Sequence, residues 1–316
     1  MADDRKVWDQ LLDEDWTQRR KILDWKGLPY IHQYVALLIG GNEPRNAIQW
    51  YDYIRSRYLL PYLEQSSGKR RRGVSMLSIG CGDANIERKL FDFNWPIQSI
   101  HCCEASKALI EACRRNLSDL PSDVTQRFTR FDMNETRGSD LGKYDVIFFC
   151  HALHHCREIE DMIEFLQRSL VPGGFVLGID YFGPARLQVS LRTKALLDDL
   201  FDLLPARLKV DLSGEQPLAS KSFLPPGFRS IFLNDPSEAA RSSDIRDLLF
   251  ASFDVCDIKP MGGTLLRHIL WNRAGNYRSE GDMEILNLLC FIERQLIESR
   301  ALESDDLLFV LRSPTA

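Results

Sequence analysis

The sequence predicts an α/β fold, a Rossmann-like sheet of seven mostly parallel strands with helices on both faces. Three observations predict it: apolar runs of strand length alternate with stretches of helical periodicity, a Gly-x-Gly turn follows the first run, and a carboxylate ends the second. Alternating strands and helices imply right-handed crossovers and a parallel sheet, whose ligands bind at the carboxyl ends of the strands. We also expect an N-terminal helical cap and an insertion after strand five.

The first strand, residues 74–79, runs into the turn Gly80-Cys81-Gly82, and apolar residues then resume at helical spacing. The two glycines let the backbone approach a ligand, and the next helix points its N-terminal amides at whatever binds there. Turns of this kind also occur in connections that bind nothing. Because Asn85 replaces the third glycine of the dinucleotide motif, the turn disfavours NAD.

The second strand, residues 97–104, ends in the carboxylate of Glu104. An acid at this tip is placed to accept hydrogen bonds from the two hydroxyls of a ribose. In the alternative interpretation, Glu104 is a surface residue that opens the helix predicted over residues 105–117, because an acid also favours a helix N-terminus.

Three more strands of the sheet are predicted over residues 125–131, 144–149 and 174–179. The third ends at Asp132-Met133-Asn134, where a carboxylate and an apolar side chain suit an adenine ring. The fourth is continuously apolar and ends at Cys150-His151. The fifth is introduced by Leu170-Val171-Pro172-Gly173-Gly174.

In this order, the motifs between Val74 and Asp180 resemble those of class I S-adenosylmethionine-dependent methyltransferases. Residues 78–84 resemble the family's motif acid-x-Gly-x-Gly-x-Gly, with Ser78 at the acidic position and Ala84 at the last glycine. Residues 148–155 resemble the segment after strand four, with a cysteine where many members carry Asn, Asp or Ser. Residues 170–174 resemble the family's L-x-P-G-G turn.

The resemblance implies S-adenosyl-L-methionine as cofactor, S-adenosyl-L-homocysteine as product, and no metal. Glu104 matches the acid that holds the ribose, and Asp132 with Met133 matches the adenine-binding pair. A magnesium-dependent catechol-type site is disfavoured, because Cys150 and His151 occupy the positions of its acidic cluster. The cofactor-binding residues expected in this chain are Ser78, Gly80, Cys81, Gly82, Asp83, Glu104, Ala105, Asp132, Met133, Asn134 and Cys150.

The chain has 316 residues, of which 44% are hydrophobic and 27% charged, enough for a full α/β core and a smaller addition. Its net charge of −5 argues against a protein that mainly neutralises nucleic-acid phosphates. The dense cationic run Lys69-Arg70-Arg71-Arg72 lies between Ser66-Ser67-Gly68 and Gly73, which favours a solvated linker over a binding site.

The eight cysteines include no Cys-x-x-Cys pair, which favours reduced core thiols and no structural zinc site. We expect a cytoplasmic protein, because the acidic start Met1-Ala2-Asp3-Asp4 is unlike a signal sequence and the apolar runs are too short to span a bilayer. We expect the protein to bind a small-molecule acceptor and to bind neither nucleic acid nor a membrane. We expect it to be a monomer or a homodimer.

Four regions are predicted: a helical cap at 1–68, the S-adenosylmethionine-binding core at 69–182, an insertion at 183–244, and a completion of the sheet at 245–316. Predicted helices of the cap cover residues 7–23, 28–39 and 47–63. Their aromatic residues either cap the core or form a lid in which Tyr30 and His32 face the substrate.

In the insertion, a helix over residues 187–204 precedes a proline-containing stretch at 205–236. Because unstructured stretches of this length inside a domain are usually functional or disordered, we expect the insertion to shape the acceptor site. The remaining predicted elements are a helix at 245–253, strand six at 255–260, a long helix at 283–299 and strand seven at 307–311.

Methyl transfer from a sulfonium is an in-line displacement, so a protein must chiefly align the acceptor and remove its proton. His151, His154 and His155 follow strand four, and histidine titrates nearest the working pH. We predict His154 as the base ahead of His155 and His151. In the alternative, one of these histidines packs against the helix start. Asp180 is a further candidate, whose structural role would be to cap the turn before Gly183.

Residues 180–188, with the later Gly262-Gly263-Thr264, resemble a bacterial methyltransferase subgroup of glycan or secondary-metabolite pathways. This resemblance implies O-methylation of a sugar or a similar small molecule. N- or C-methylation of a natural product, a non-catalytic binding module and a nicotinamide-dependent reductase are the alternatives. The predicted substrate-binding residues are Tyr30, His32, Tyr181, Arg186, Gln188 and His268.

Overall fold

Seven strands form the central sheet of the computed structural model, which describes residues 25–41, 47–65, 72–213, 218–219 and 235–313. The strands are β1 (Val74–Ile79), β2 (Ile97–Glu104), β3 (Thr125–Arg130), β4 (Tyr144–Cys150), β5 (Leu170–Tyr181), β6 (Asp254–Gly262) and β7 (Asp306–Arg312). Their spatial order is β3-β2-β1-β4-β5-β7-β6. β7 pairs antiparallel with β5 and β6, and the pairs among β1 to β5 are parallel. The predicted Rossmann-like sheet is confirmed.

Helices cover both faces of the sheet, so β4 is buried along its whole length except at Cys150, which is half-buried. This burial explains its uninterrupted apolar sequence. Side chains of successive residues enter two different clusters: Val146 and Phe148 pack on one face, and Ile147 and Phe149 on the other.

The described helices are α1 (Pro29–Gly40), α2 (Trp50–Ile54), α3 (Leu60–Gln65), α4 (Asn85–Asp92), α5 (Lys107–Asn116), α6 (Ile159–Ser169), α7 (Leu191–Leu203), α8 (Ser242–Ser252), α9 (Leu266–Leu270) and α10 (Glu280–Glu298). Serine side chains cap several of them: Ser106 accepts from the Leu109 amide at α5, and Ser279 forms a capping box with Asp282 at α10. Such caps fix where these helices begin.

Several predicted boundaries differ from the structure by a few residues, and two of them change the description of an element. The predicted helix 47–63 is observed as α2 and α3 joined by a π-helical turn, Arg55–Leu59. β5 begins at Leu170 instead of residue 174, because Leu170 already pairs with Tyr144 before the register shifts. The tight Pro-Gly-Gly sequence therefore lies inside the strand.

The cap is described from Trp25 onward, and its predicted helix at 7–23 lies outside the described residues, as does most of the cationic run 69–72. α1, α7, α9 and α10 share a third core cluster. The insertion is described except for residues 214–217 and 220–234, and it contains a short antiparallel pair, Val210–Asp211 with Leu218–Ala219. Within the described parts, every helix is too short or too polar to cross a bilayer.

Strand order reverses between β1 and β4, so the crossovers leave in opposite directions and open a crevice at the carboxyl ends of these strands. The glycine turn follows β1 at this edge, and the histidine-rich segment follows β4. The topology therefore brings together the two motifs that the sequence indicates for cofactor binding and for proton transfer.

Candidate active site

The glycine turn is held against the segment that follows β4. Gly80 and Gly82 adopt φ of +67° and +58°, a region that strongly favours glycine. A Cβ on Gly80 would lie 2.5 Å from Cβ of Ala152 and 3.2 Å from Cε of Met133. A Cβ on Gly82 would meet none of the described atoms within 4 Å. The turn is therefore closed at Gly80 and open at Gly82, where a ligand has room.

Glu104 connects the tip of β2 to this turn. Its carboxylate accepts from the Gly82 amide at 3.0 Å and from the Ser106 amide at 3.1 Å. Burial raises the pKa of Glu104, while the two amides act in the opposite direction. The structure thus joins the glycine turn and the predicted ribose-binding acid, and it also shows that Glu104 braces the entry to α5.

A second carboxylate lies behind the turn, and sequence reasoning missed it. Ser78, at the position where the motif normally has an acid, donates to Oε1 of Glu87 at 2.5 Å. Both side chains are buried, and burial raises the pKa of Glu87 to about 8. Glu87 belongs to α4, so the acid that is absent from β1 is supplied by the following helix. Its position in an otherwise polar helix carries no distinguishing sequence signal.

The residues after β3 pack between the two motifs. Met133 packs against Gly80: its Cε atom lies beside the position that a Cβ on this glycine would occupy. Asp132 accepts from the Asn134 amide at 2.9 Å, and Oδ1 of Asn134 accepts from the Arg157 amide at 2.6 Å. The predicted adenine-binding segment is therefore tied to the chain that follows the histidines.

Two other predicted cofactor residues make local contacts. Asp83 accepts from the Asn85 amide at 3.2 Å and so supports the start of α4. The carbonyl of Ala105 accepts from Nε of Arg130 at 2.9 Å, which joins the tips of β2 and β3.

Asp180, at the end of β5, organises the turn that carries the histidines. Its Oδ2 accepts from the amides of Ala152 at 2.9 Å and Leu153 at 2.7 Å, and its Oδ1 lies 2.6 Å from Nδ1 of His154. Asp180 therefore caps the turn after β4, and not the turn before Gly183 that the sequence suggested as its structural role. The same carboxylate also orients His154.

The pair His154–Asp180 is buried, with side chains 8% and 1% exposed. Burial alone would raise the pKa of Asp180, but His154 and the backbone amides hold it well below its usual value. Burial alone would lower the pKa of His154, but Asp180 and Glu238 outweigh it and raise the pKa. With Nδ1–H donated to Asp180, Nε2 is the ring nitrogen that accepts a proton, 3.7 Å from Oε1 of Glu238.

His155 faces the insertion. Its Nδ1 lies 3.0 Å from Oγ of Ser237, and its Nε2 lies 3.9 Å from Oε2 of Glu238. Burial and the neighbouring His154 lower the pKa of His155. Glu238 was not predicted as a site residue, because its surroundings in the sequence show no periodic pattern, and only the fold brings it to both histidines.

His151 has a different environment, in left-handed backbone at φ +52°. Nζ of Lys26 lies 2.7 Å from its Nε2 and 3.3 Å from Oδ2 of Asp306, which also pairs with Arg267. Burial and Lys26 lower the pKa of His151 to about 3, and Cys150 beside it has its pKa raised by burial. His151 is thus neutral at physiological pH and carries little basicity.

Three predicted substrate residues brace the insertion. The Tyr181 hydroxyl donates to the Pro184 carbonyl at 2.8 Å, and Nη1 of Arg186 donates to the carbonyls of Pro236 at 2.6 Å and Glu238 at 3.2 Å. Gln188 donates to the carbonyl of Arg186 at 2.9 Å. These bonds hold Glu238 near the histidines.

The other three predicted substrate residues lie among the helices of the third cluster. His268 is buried in α9, and burial lowers its pKa to about 4. Tyr30 is half-buried against this cluster, whereas His32 is exposed on α1. The prediction that these residues meet an acceptor remains open.

Residues 77–176 match the family model described as a methyltransferase domain. The match begins within β1 and ends in β5, so the matched residues include the glycine turn, Glu104, the segment after β3 and the histidines. Over residues 77–176, the match supports the resemblance to methyltransferases that these motifs predict.

The chain is also similar to individual proteins. The trichosetin synthetase PKS-NRPS1 of Gibberella fujikuroi is 25% identical over 122 residues, 37% of this chain and 3% of that protein. The phosphoethanolamine N-methyltransferase 2 of Haemonchus contortus is 14% identical with a TM-score of 0.48, over 99% of this chain and 60% of that one. An S-adenosylmethionine-dependent methyltransferase from Mesorhizobium loti is 11% identical with a TM-score of 0.41, over 80% and 96%.

Proposed function

We propose that this chain is an S-adenosylmethionine-dependent methyltransferase that methylates a hydroxyl group of a small-molecule acceptor, with His154 as general base. The single observation that carries the proposal is the 2.6 Å contact between Nδ1 of His154 and Asp180, beside the glycine turn of a methyltransferase domain. This contact fixes the tautomer and leaves Nε2 to take a proton.

The residues present fit the cofactor. Glu104 would hold the ribose hydroxyls, because its carboxylate already lies at the tip of β2 beside Gly82. The open space at Gly82 would admit the ribose edge, and Met133 with Asp132 would hold the adenine. When bound, S-adenosylmethionine supplies a methyl group on a positively charged sulfur. The protein must supply the base, the alignment of the acceptor and the exclusion of water.

His154 would remove the acceptor proton as the new oxygen–carbon bond forms. Its pKa is raised by neighbouring carboxylates, so it is a stronger base than an ordinary histidine once it is neutral. Asp180 stabilises the imidazolium that results and keeps the ring in place. Burial of both side chains excludes water, which strengthens their interaction.

The insertion, residues 183–244, would form the acceptor side of the site. Its bonds from Arg186 position the segment with Ser237 and Glu238 beside His154 and His155. The cap, predicted over residues 1–68, would cover the pocket, because its Lys26 contacts His151 at the tip of β4. The sheet core at 69–182 and its completion at 245–316 would provide the scaffold of a monomer or homodimer.

A second candidate reaction is methylation at carbon or nitrogen of a natural product. The match to trichosetin synthetase supports it, because a domain inside a PKS-NRPS synthetase acts in the assembly of such a molecule. The same His154–Asp180 pair would remove a proton from carbon or nitrogen. Regiochemistry of the methylated product, read by NMR, distinguishes the two reactions.

Calorimetric titration with S-adenosylhomocysteine and with NADH tests the cofactor. We expect binding of S-adenosylhomocysteine and none of NADH, and the reverse result would contradict the proposal. A screen of sugar and natural-product acceptors with methyl-labelled cofactor then tests turnover. Cofactor affinity without turnover on any acceptor would favour a non-catalytic binding module.

A further inference from the structure

Three cysteines from separate parts of the chain meet beneath the glycine turn. Cys81 lies in the turn, Cys102 in β2 and Cys113 in α5, and their sulfur atoms all lie within 4.8 Å of one another. Cys102 and Cys113 are fully buried, whereas Cys81 is half-buried. The group therefore has two enclosed members and one that is partly accessible.

The sulfur spacing suits a thiophilic metal ion. The Sγ atoms of Cys81 and Cys113 are 3.9 Å apart. Sulfurs at about 2.3 Å from a tetrahedral zinc ion stand about 3.8 Å from each other. Thiolate sulfur is the ligand type that selects zinc and other soft ions over magnesium or calcium.

A buried acid, Glu87, lies behind Ser78 and carries the charge that would balance a cation near the glycine turn. Its Oε1 accepts from Ser78, but its Oε2 has no hydrogen-bond partner among the described residues although the side chain is 1% exposed. A buried carboxylate oxygen without a partner is costly, and a cation beside it removes that cost.

We propose that Cys81, Cys102 and Cys113 form a zinc site that joins the glycine turn to β2 and α5, with Glu87 as a nearby outer partner. The sequence predicts no zinc site because no two cysteines stand in Cys-x-x-Cys spacing. Instead, the fold brings the three cysteines together from separate segments. The proposal is independent of the acceptor and of methyl transfer.

The second cluster of ligand-type side chains, His154, His155 and Glu238, offers nitrogen and oxygen atoms but no sulfur. A metal held there gives no sulfur-to-metal charge transfer. Absorption spectra of cobalt-substituted protein therefore distinguish the two places, because thiolate bound to Co²⁺ absorbs strongly in the near ultraviolet.

The test uses full-length protein in which exposed Cys256 is replaced by serine, prepared reduced and freed of metal by chelation. We expect one Co²⁺ per chain with the thiolate charge-transfer band, displaced by Zn²⁺. Cys102→Ala should abolish the band and weaken Zn²⁺ binding at least about 100-fold, beyond the 10- to 100-fold loss typical of outer partners. Glu87→Gln should retain the band and weaken binding about tenfold or more.

Cys103→Ala is the matched control, since Cys103 is the next residue of β2 and packs on the opposite face of the sheet. The Cys103→Ala variant should keep the charge-transfer band and the rise in melting temperature that Zn²⁺ produces. The Cys102→Ala variant should lose both. Absence of the band in the parent protein, or its persistence in Cys102→Ala, would overturn the proposal. The melting-temperature comparison between the two alanine variants separates loss of a ligand from loss of packing.

Discussion

At the tips of β2 and β5 alike, a carboxylate accepts hydrogen bonds from backbone amides. The two ends differ because the carboxylate at β5 also contacts a histidine, which a distant insertion approaches. Gly82 and Ser106 present backbone amides to Glu104. His154 instead depends on Asp180, and then on Glu238 from the insertion. The first arrangement lies within neighbouring strand tips, while the second also depends on residues that a change in the insertion can replace.

The comparison predicts that substitutions at the two ends separate binding from turnover. His154→Ala should lower turnover about 1,000-fold, because the acceptor loses its general base, while affinity for S-adenosylhomocysteine stays within about threefold. Single-turnover rates and calorimetry measure the two quantities. If turnover is unchanged, the base lies elsewhere and Asp180 becomes the next candidate.

Gly80→Val should give the opposite pattern. The new side chain would clash with Ala152 and must adopt φ +67°, so we expect affinity for S-adenosylhomocysteine to fall at least about 100-fold. Gly138→Val is the control, since Gly138 has φ +73° but lies in open space on the surface. Equal loss of affinity in both variants would show that general destabilisation, and not the local contact, is responsible.

Glu104→Gln should weaken the same affinity by a smaller factor, roughly 10- to 100-fold, because it removes a charge from hydrogen bonds and retains the side-chain shape. Turnover at saturating cofactor should change little. Affinity indistinguishable from the parent would mean that Glu104 serves only to brace α5.

Asp180→Asn should change the pH dependence of turnover. His154 must be neutral to accept a proton, so turnover falls as the pH drops through its raised pKa. Asparagine removes the charge that favours the imidazolium, so the low-pH limb should move down by about one pH unit, together with a fall in maximal turnover. A limb that stays in place would show that another group controls it.

Local pattern predicted the strands and the turn at the expected cofactor end. β1 and β4 follow from largely apolar runs, whereas β3 alternates exposed and partly buried residues. Gly80 and Glu104 follow from a motif in which spacing along the chain determines spacing in the fold. The structure places them together, although their roles stay predictions until binding is measured.

Long-range contacts explain what the sequence did not predict. Glu238 reaches the histidines from the insertion, Lys26 reaches His151 from the cap, and Glu87 reaches Ser78 from α4. Each is an ordinary charged residue in its own segment, where a solvated face is the usual interpretation. Their positions depend on packing of separate elements, which no local pattern records. For the same reason the meeting of Cys81, Cys102 and Cys113 could not be predicted.

The order of strands also affects how the chain can fold during its synthesis. β7 follows β6 in the sequence but lies between β5 and β6 in the sheet. Until residues 306–312 leave the ribosome, β6 has no neighbour to pair with and the edge of β5 stays open. The glycine-turn half of the sheet can form early, whereas β6 and its edge must wait for β7. Until then, the open edge of β5 is a place where another strand could pair wrongly.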